Sequence, residues 1–340
     1  MKVLIVKTSS MGDVIHTFPA LADALNARPD FQFDWCVEDS FVDLVRLHAG
    51  VGRIHTVAMR RWRRSLLADD TQREVARFWQ NVRAESYDLV IDAQGLLKSA
   101  VLSRLTGAPV AGLDGRSARE PLAASFYAKR HGVPRDRHAI DRTRLLFGKV
   151  FDYEPDLDGL NYGLAAPAGG GGSERRGVFL LHGTSWPSKH WHLDGWTKLA
   201  GGLAEHGYQP VVTFAGPTER RTTEAIIEAV PETRLVQKTG LAEIAHIMAR
   251  CAGVVGTDTG LTHLACALDR PTVQIALSTA PGLTGPRGNR VNVVAADIEC
   301  APCRKRECPL VALGETQPCA PTVGAGTILD RLQQLIKNVQ

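Results

Sequence analysis

A short loop after the first apolar run of the chain contains a carboxylate that could act as a general base. The run Val3–Val6 leads into Lys7-Thr8-Ser9-Ser10-Met11-Gly12-Asp13-Val14. The glycine lets the backbone approach a ligand closely, and Asp13 stands where the next helix would begin. Two interpretations are open. Asp13 either only caps that helix, or is held at a site where it removes a proton from a substrate.

A second loop, His182-Gly183-Thr184-Ser185-Trp186-Pro187-Ser188-Lys189-His190-Trp191, combines hydroxyl groups with a cation. Thr184, Ser185 and Lys189 have the groups that suit the oxygens of a diphosphate. The alternative is a loop that Trp186 and Trp191 anchor in the core, with Lys189 in solvent. The sequence favours neither interpretation over the other.

A third loop, Asp258-Thr259-Gly260-Leu261, opens an apolar helix after a short strand pattern. Backbone N–H groups at a helix start, together with the helix dipole, form an anion site. We expect His263 to face that anion, although a lone histidine is more often structural. We expect Asp258 to bind a sugar hydroxyl or support the turn. Glu219 also follows a strand pattern and could bind ribose hydroxyls, but a carboxylate at a helix start needs no ligand.

An unbroken basic stretch lies between residues 44 and 68, which include six arginines and no acid. Such a patch predicts an anionic partner. The part that we expect to bind it comprises Arg60, Arg61, Arg63 and Arg64. Trp62, inside this group, either dips into a lipid interface or packs beneath the loop.

Four of the seven cysteines cluster late in the chain, at Cys300, Cys303, Cys308 and Cys319. Four thiolates could hold zinc or iron. We favour a reduced, metal-free loop stiffened by neighbouring prolines, because the spacing matches no strong zinc signature. The other three cysteines lie in apolar patterns, which predict small buried side chains, at Cys36, Cys251 and Cys266.

Strand-like apolar runs alternate with helical patterns along the chain, which predicts an α/β protein with parallel, doubly wound sheets. The strand patterns are Val3–Val6, Phe31–Val37, Ile54–Val57, Leu89–Ile91, Val178–Leu181, Val211–Phe214, Val254–Val255 and Val273–Leu277. The helical patterns are Phe18–Ala27, Glu74–Ala84, Leu96–Leu105, Leu193–Glu205, Thr218–Ala229, Ile244–Cys251 and Leu261–Leu268. A glycine-rich stretch divides this alternation in two. We therefore predict domains at 1–165 and 177–325, a linker at 166–176 and a C-terminal helix at 326–340.

Composition excludes several classes of protein. With 340 residues, 44% hydrophobic and 22% charged, the chain can build sizeable cores. A net charge of +4 argues against a nucleic-acid-binding protein. We expect no transmembrane segment and no signal peptide. The phosphate-loop and dinucleotide-binding glycine signatures are absent, so neither a nucleoside triphosphatase nor a nicotinamide dehydrogenase is supported.

Together these motifs resemble the lipopolysaccharide heptosyltransferases of glycosyltransferase family 9. The resemblance spans nearly the whole chain, and its opening half is most similar to members that add the first heptose. It rests on residues 7–14, Arg60-Arg61-Trp62-Arg63, Asp92-Ala93-Gln94-Gly95-Leu96, Ala118-Arg119-Glu120-Pro121-Leu122, Lys189-His190-Trp191 and Asp258-Thr259-Gly260-Leu261-Thr262-His263.

The resemblance implies a GT-B fold, in which two Rossmann-like domains face each other across a cleft. It implies inverting, metal-independent transfer of heptose from ADP-L-glycero-β-D-manno-heptose to a Kdo residue of the lipopolysaccharide inner core (Kdo2-lipid A). The resemblance also implies that no cofactor is required. The first domain would bind the acceptor and the second the donor. The protein would be cytoplasmic, peripheral on the cytoplasmic face of the inner membrane.

Residue roles follow from the same resemblance. Asp13 would be the catalytic base, and Lys189 would act both in catalysis and in donor binding. The other donor-binding residues would be Thr184, Ser185, Glu219, Asp258, Thr259, Gly260, Leu261 and His263. The acceptor-binding residues would be Ser9, Ser10, Arg60, Arg61, Arg63, Arg64 and Arg119, with Arg142 and Arg144 as further candidates.

Three alternatives remain open. The cysteine cluster is similar to those of some members that add the second heptose and of iron-carrying members that modify proteins, so the acceptor is not fixed. A protein that only senses ADP-heptose would keep the loops of the second domain. Such a sensor would need neither Asp13 nor the arginine patch, and the sequence therefore favours an enzyme.

Overall fold

The computed structural model describes residues 1–65, 67–164, 176–312 and 314–338. The chain forms two compact units, Met1–Ala165 and Ala166–Gln340. Apart from Arg176, the linker predicted at 166–176 lies outside the described residues.

The first unit is one parallel six-stranded sheet with helices, in the strand order β3-β2-β1-β4-β5-β6. Its strands are β1 (Lys2–Val6), β2 (Gln32–Glu38), β3 (Val51–Val57), β4 (Leu89–Asp92), β5 (Val110–Leu113) and β6 (Lys129–His131). Its helices are α1 (Met11–Ile15), α2 (Phe18–Ala27), α3 (Val42–Val45), α4 (Met59–Trp62), α5 (Asp69–Arg83), α6 (Leu97–Arg104) and α7 (Ala139–Phe151).

The second unit is also a parallel six-stranded sheet, in the order β12-β11-β10-β7-β8-β9. Its strands are β7 (Gly177–Leu181), β8 (Gln209–Val212), β9 (Arg234–Leu235), β10 (Gly253–Thr257), β11 (Thr272–Ala276) and β12 (Val291–Ala295). Its helices are α8 (Leu193–Glu205), α9 (Pro217–Ala229), α10 (Leu241–Arg250), α11 (Gly260–Ala267), α12 (Pro281–Thr284) and α13 (Ala325–Lys337).

Both sheets have the Rossmann strand order, in which the direction of strand addition across the sheet reverses beside the first strand. That reversal lies between β1 and β4 in the first unit and between β7 and β10 in the second. The loops that leave these strands at their carboxyl ends are where open α/β sheets bind ligands. The three loops singled out in the sequence all begin there.

Buried apolar side chains explain why these central strands form. Residues 3–6 of β1 and all five residues of β7 are buried, as expected for strands covered by helices on both faces. Cys36, Cys251 and Cys266 are buried, which confirms their predicted environment. The C-terminal helix α13 packs on the second sheet through Ile328, Leu332 and Ile336.

Candidate active site

In the first unit, the loop after β1 lies beside the loop after β4, because Val6 pairs with Asp92 in the sheet. Gln94 joins the two loops. Its side-chain oxygen accepts a hydrogen bond from the Thr8 amide at 3.0 Å, and its side-chain nitrogen donates to the Ser9 carbonyl at 2.5 Å. The backbone of the loop that leads to Asp13 is therefore fixed.

Asp13 is both a helix cap and a partly open carboxylate. The amide and hydroxyl of Ser10 donate to Asp13 Oδ2 at 2.9 and 2.8 Å, which closes a capping box at the start of α1. The other oxygen, Oδ1, lies 3.9 Å from Lys7 Nζ. Because 36% of the Asp13 side chain is exposed, a ligand can reach it. The two interpretations of Asp13 are thus compatible.

Lys7 is a buried cation that the sequence did not indicate as a site residue. Its ammonium donates to the Ala93 carbonyl at 2.8 Å. Burial lowers the pKa of Lys7, although Asp13 and Asp92 oppose this. Burial also disfavours the charged form of Asp13, but Lys7 and the Ser10 hydrogen bonds outweigh it and hold the pKa of Asp13 below its usual value. Asp13 is therefore ionised at neutral pH.

Asp92, the last residue of β4, holds the loop that contains Gln94. Its carboxylate accepts hydrogen bonds from the Tyr127 hydroxyl and the Ser99 hydroxyl, both at 2.8 Å, and from the amides of Gln94 and Gly95. Burial raises the pKa of Asp92, and these hydrogen bonds oppose that rise. Asp92 thereby fixes the β4 loop, a role that the sequence pattern did not reveal.

The arginine patch is only partly available to a ligand. Arg61 forms an ion pair with Glu74 at 2.7 Å. Trp62 donates its indole N–H to the same carboxylate at 2.8 Å and packs edge-on against Phe78. Of the two alternatives for Trp62, the structure supports packing beneath the loop. The remaining predicted arginines of the patch are exposed, namely Arg60, Arg63 and Arg64.

The other arginines differ in their surroundings. Arg119 is exposed and near enough to Asp13 to lower its pKa. Arg142 donates to the Ser117 carbonyl at 2.6 Å. The suggestion that Arg144 faces the acceptor was wrong: Arg144 is buried and binds both carboxylate oxygens of Asp23, at 2.6 and 3.0 Å. This bidentate pair is structural.

In the second unit, Lys189 is held in place. Its ammonium lies 2.7 Å from Asp258 Oδ2 and 4.5 Å from the centre of the Trp186 ring. Trp191 anchors the loop by donating its indole N–H to the Ala320 carbonyl at 3.1 Å. The structure thus combines features of both interpretations, because a tryptophan anchors the loop while the lysine is paired.

Asp258 links two predicted donor-binding side chains. Its Oδ1 lies 3.4 Å from His263 Nε2, and its backbone carbonyl accepts a hydrogen bond from the Thr184 hydroxyl at 3.4 Å. Burial disfavours its charge, but His263 and Lys189 outweigh burial and hold the pKa of Asp258 well below its usual value. The carboxylate supports the turn, while Thr259, as N-cap, and then Gly260 and Leu261 begin α11.

The side chain of Glu219, on α9, lies next to Gly183 in the loop that follows β7. One of its oxygens accepts a hydrogen bond from the Ala215 amide at 2.7 Å. A Cβ atom at Gly183 would lie 2.5 Å from Oε1 of Glu219, so an alanine there would force the Glu219 carboxylate to shift. His190 is close enough for Glu219 to raise its pKa, against the larger lowering by burial. Ser185, in the same loop, is exposed.

The late cysteines, Cys300, Cys303, Cys308 and Cys319, line one cavity of about 170 Å³. Burial and the neighbouring thiols raise the pKa of Cys319 to about 11. Among the side chains that the structure describes, no three or more Cys, His, Asp or Glu residues are grouped so as to hold a metal ion. These thiols therefore do not fit a zinc or iron site as they are arranged here.

Each unit thus offers distinct chemistry. The first presents an ionised, partly open carboxylate. The second places a cation, a hydroxyl and the start of α11 together, a combination suited to a diphosphate. Within the described ranges, no helix combines the length and the apolar character needed to cross a bilayer.

Comparisons with known proteins agree with this chemistry. The family model described as glycosyltransferase family 9 (heptosyltransferase) matches residues 75–313. Lipopolysaccharide heptosyltransferase 1 of Pseudomonas aeruginosa is 44% identical over 314 residues, which cover 91% of this chain and 87% of that protein.

Two solved structures extend the similarity to the fold. The E. coli heptosyltransferase WaaC with ADP has a TM-score of 0.86 and 35% identity, and the match covers 98% of this chain and 100% of that one. The same enzyme with ADP-2-deoxy-2-fluoro heptose has a TM-score of 0.81 and 34% identity, with full coverage of both chains. The predicted GT-B fold and glycosyltransferase class are confirmed. The chain belongs to glycosyltransferase family 9, the heptosyltransferases.

Proposed function

We propose that this enzyme transfers heptose from ADP-L-glycero-β-D-manno-heptose to a Kdo residue of the lipopolysaccharide inner core, with inversion and without a metal ion. The observation that carries the proposal is the geometry of Asp13. One of its oxygens is committed to the helix cap, while the carboxylate stays ionised and partly open. A structurally similar enzyme has been solved with a fluorinated ADP-heptose, which supports the choice of donor.

The second unit would hold the donor. Lys189, Thr184, Ser185 and the first amides of α11 would bind the diphosphate, with His263 nearby. Glu219 would bind the adenosine ribose. When ADP leaves, negative charge grows on the diphosphate, and groups already in position stabilise it without reorganisation. Lys189 is well suited to this, since Asp258 and Trp186 fix its ammonium.

The first unit would supply the proton acceptor. A Kdo hydroxyl oxygen attacks the anomeric carbon of the heptose and gives its proton to Asp13. A C–O bond forms, the bond between that carbon and the diphosphate oxygen breaks on the opposite face, and ADP departs. Asp13 is a weak base, so proton transfer accompanies bond formation, when the attacking hydroxyl becomes strongly acidic.

The acceptor would be Kdo2-lipid A at the cytoplasmic face of the inner membrane. Its phosphates and carboxylates match the exposed Arg60, Arg63 and Arg64, with Ser9, Ser10 and Arg119 nearer to Asp13. Anionic groups and guanidinium groups form strong, directional hydrogen bonds. Arg61 would contribute less than the others, because Glu74 already pairs with it.

One experiment tests the proposal and separates it from the alternatives. Purified protein is incubated with ADP-heptose and either Kdo2-lipid A, the same acceptor already carrying one heptose, or no acceptor. We expect transfer and ADP release with Kdo2-lipid A alone. Transfer only to the heptosylated acceptor would indicate the second heptosyltransferase. Binding of ADP-heptose without transfer to either lipid acceptor would contradict the proposal and indicate a sensor or a protein-modifying member.

A further inference from the structure

Helix α6 buries Ala100 and Leu102 in the core of the first unit but leaves other apolar side chains exposed. The side chains of Ser99 and Ser103 point inward and are fully buried, whereas Leu97 and Val101 point outward. The Ser99 hydroxyl binds Asp92, but the buried Ser103 hydroxyl has no hydrogen-bond partner among the described residues. A surface helix ordinarily turns its apolar side chains to the core. The outward Leu97 and Val101 are therefore available to a partner outside the fold.

The outward apolar side chains form a continuous row. Leu97, Val101 and Leu105 follow one another at intervals of four residues, which places them on one helix face. They are 40%, 38% and 47% exposed. Leu122, which is 72% exposed, lies on the 3-10 helix Pro121–Phe126, and this helix packs against α6. We call these four residues the α6 ridge.

The charges around the α6 ridge are mainly positive. The other exposed residues of α6 are Lys98 and Arg104, and the helix contains no acid. Arg116 and Arg119 are exposed on the segment before Leu122. The nearby acid Glu120 accepts a hydrogen bond from the Leu97 amide at 2.7 Å.

This combination indicates which partner covers the ridge. Apolar side chains flanked by cations match the boundary between acyl chains and anionic headgroups of a bilayer. A second copy of the chain fits less well, because a two-fold contact would bring the same cations together. We propose that the α6 ridge docks the first unit on an anionic lipid surface.

The position of the ridge connects docking to the site. The loop before α6 contains Gln94, which fixes the loop that leads to Asp13. Arg119, beside the ridge, is near enough to Asp13 to affect its pKa. If the proposed function is right, a bilayer on the ridge would therefore present lipid-linked sugars close to that carboxylate. The docking itself can be measured without any reaction.

The test uses vesicles and the full chain. The variant Leu97→Gln/Val101→Gln/Leu105→Gln removes the row but keeps residues that favour helix. The control Leu67→Gln/Leu310→Gln changes two other exposed leucines. We expect wild type and control to sediment with vesicles that contain phosphatidylglycerol. We expect the ridge variant to bind roughly tenfold more weakly. Circular dichroism checks that the variant remains folded.

Three results would overturn the docking proposal. The first is no binding of wild type to anionic vesicles. The second is equal binding of the ridge variant and the control. The third is a wild-type dimer in light scattering that the ridge variant converts to a monomer, which would identify a second copy as the partner.

A second measurement separates docking from the proposed function. Heptose transfer is compared on vesicle-embedded acceptor and on acceptor stripped of its acyl chains. We expect the folded ridge variant to lose activity only on the embedded form. An equal loss of transfer activity on the embedded and on the stripped acceptor would contradict docking. Failure of wild type on both forms would contradict the proposed function, while vesicle binding would still test the ridge.

Discussion

The Lys7 ammonium lies 3.9 Å from Oδ1 of Asp13, whereas both Ser10 hydrogen bonds go to the other oxygen, Oδ2. That distance is too long for a hydrogen bond but short enough for strong electrostatic attraction. Oδ1 therefore keeps its lone pairs available for a substrate proton, while its charge is stabilised. In the proposed mechanism, Oδ2 caps the helix and Oδ1 takes up the proton of the acceptor hydroxyl.

The first prediction concerns the pH dependence of transfer. Lys7 stabilises the ionised form of Asp13, so Lys7→Met should raise the pKa of Asp13. A higher pKa means that Asp13 becomes protonated earlier as the pH falls. The acid limb of kcat/KM should therefore move to higher pH. Lys129→Met, on exposed β6, is the control. If the acid limb of kcat/KM stays at the same pH in a folded Lys7→Met variant, Lys7 does not act on Asp13.

The second prediction separates the structural role of Lys189 from its chemical role. Lys189→Met leaves the buried Asp258 charge without its closest cation, so stability should fall by about 3 kcal/mol. It should also lower kcat by about 10²–10³. Adding Asp258→Asn should restore much of the stability, but not the activity. Denaturant unfolding and steady-state kinetics measure the two effects. Recovery of activity in the double variant would mean that Lys189 is only structural.

The third prediction tests the placement of Glu219. Gly183→Ala would bring a Cβ against the Glu219 carboxylate and displace it. ADP should then bind about tenfold more weakly in calorimetry, as for the loss of roughly one good hydrogen bond to a charged group. Gly201→Ala, on α8, meets nothing within 4 Å and should leave binding unchanged. Unchanged ADP affinity in Gly183→Ala would place the ribose elsewhere.

The fourth prediction concerns acceptor binding. Arg60→Ser/Arg63→Ser should raise KM for the lipid acceptor severalfold and leave KM for ADP-heptose unaltered, because only the acceptor would contact this patch. Arg73→Ser, on α5, removes another exposed arginine as a control. An equal rise in both Michaelis constants would indicate damage to the fold rather than loss of an acceptor contact.

The central elements of the fold could be predicted from the sequence because their apolar runs are long and buried. The helix Phe18–Ala27 begins and ends as predicted, and β1 differs by one residue. Of the edge strands, β3 was predicted in part, as Ile54–Val57, whereas β6, β9 and β12 were not predicted. Strand β6, Lys-Arg-His, has no apolar pattern and forms through backbone pairing with β5, Ala111 opposite Lys129. Backbone pairing of this kind does not require apolar side chains, so it produces no hydrophobic pattern in the sequence.

The site also contains residues that could be predicted from the sequence and contacts that could not. Asp13 and Lys189 could be singled out because each follows a strand in a loop of small or polar residues. The pairing of Lys189 with Asp258 could not, because it depends on strands β7 and β10 becoming neighbours in the sheet. The role of Lys7 was also hidden, since a lysine at the end of an apolar strand ordinarily extends into solvent.

Turnover of Asp13→Ala, measured together with its ADP affinity, is the decisive test of Asp13 as the general base. General-base catalysis contributes about 10²–10⁴ in rate, so turnover should fall to roughly a hundredth of wild type or below. ADP affinity should stay nearly unchanged, because the proposed donor groups belong to the second unit. Asp70→Ala, which removes an exposed carboxylate of α5, should have no effect on turnover. An Asp13→Ala variant that keeps a tenth or more of wild-type turnover would contradict the assignment of Asp13 as the base.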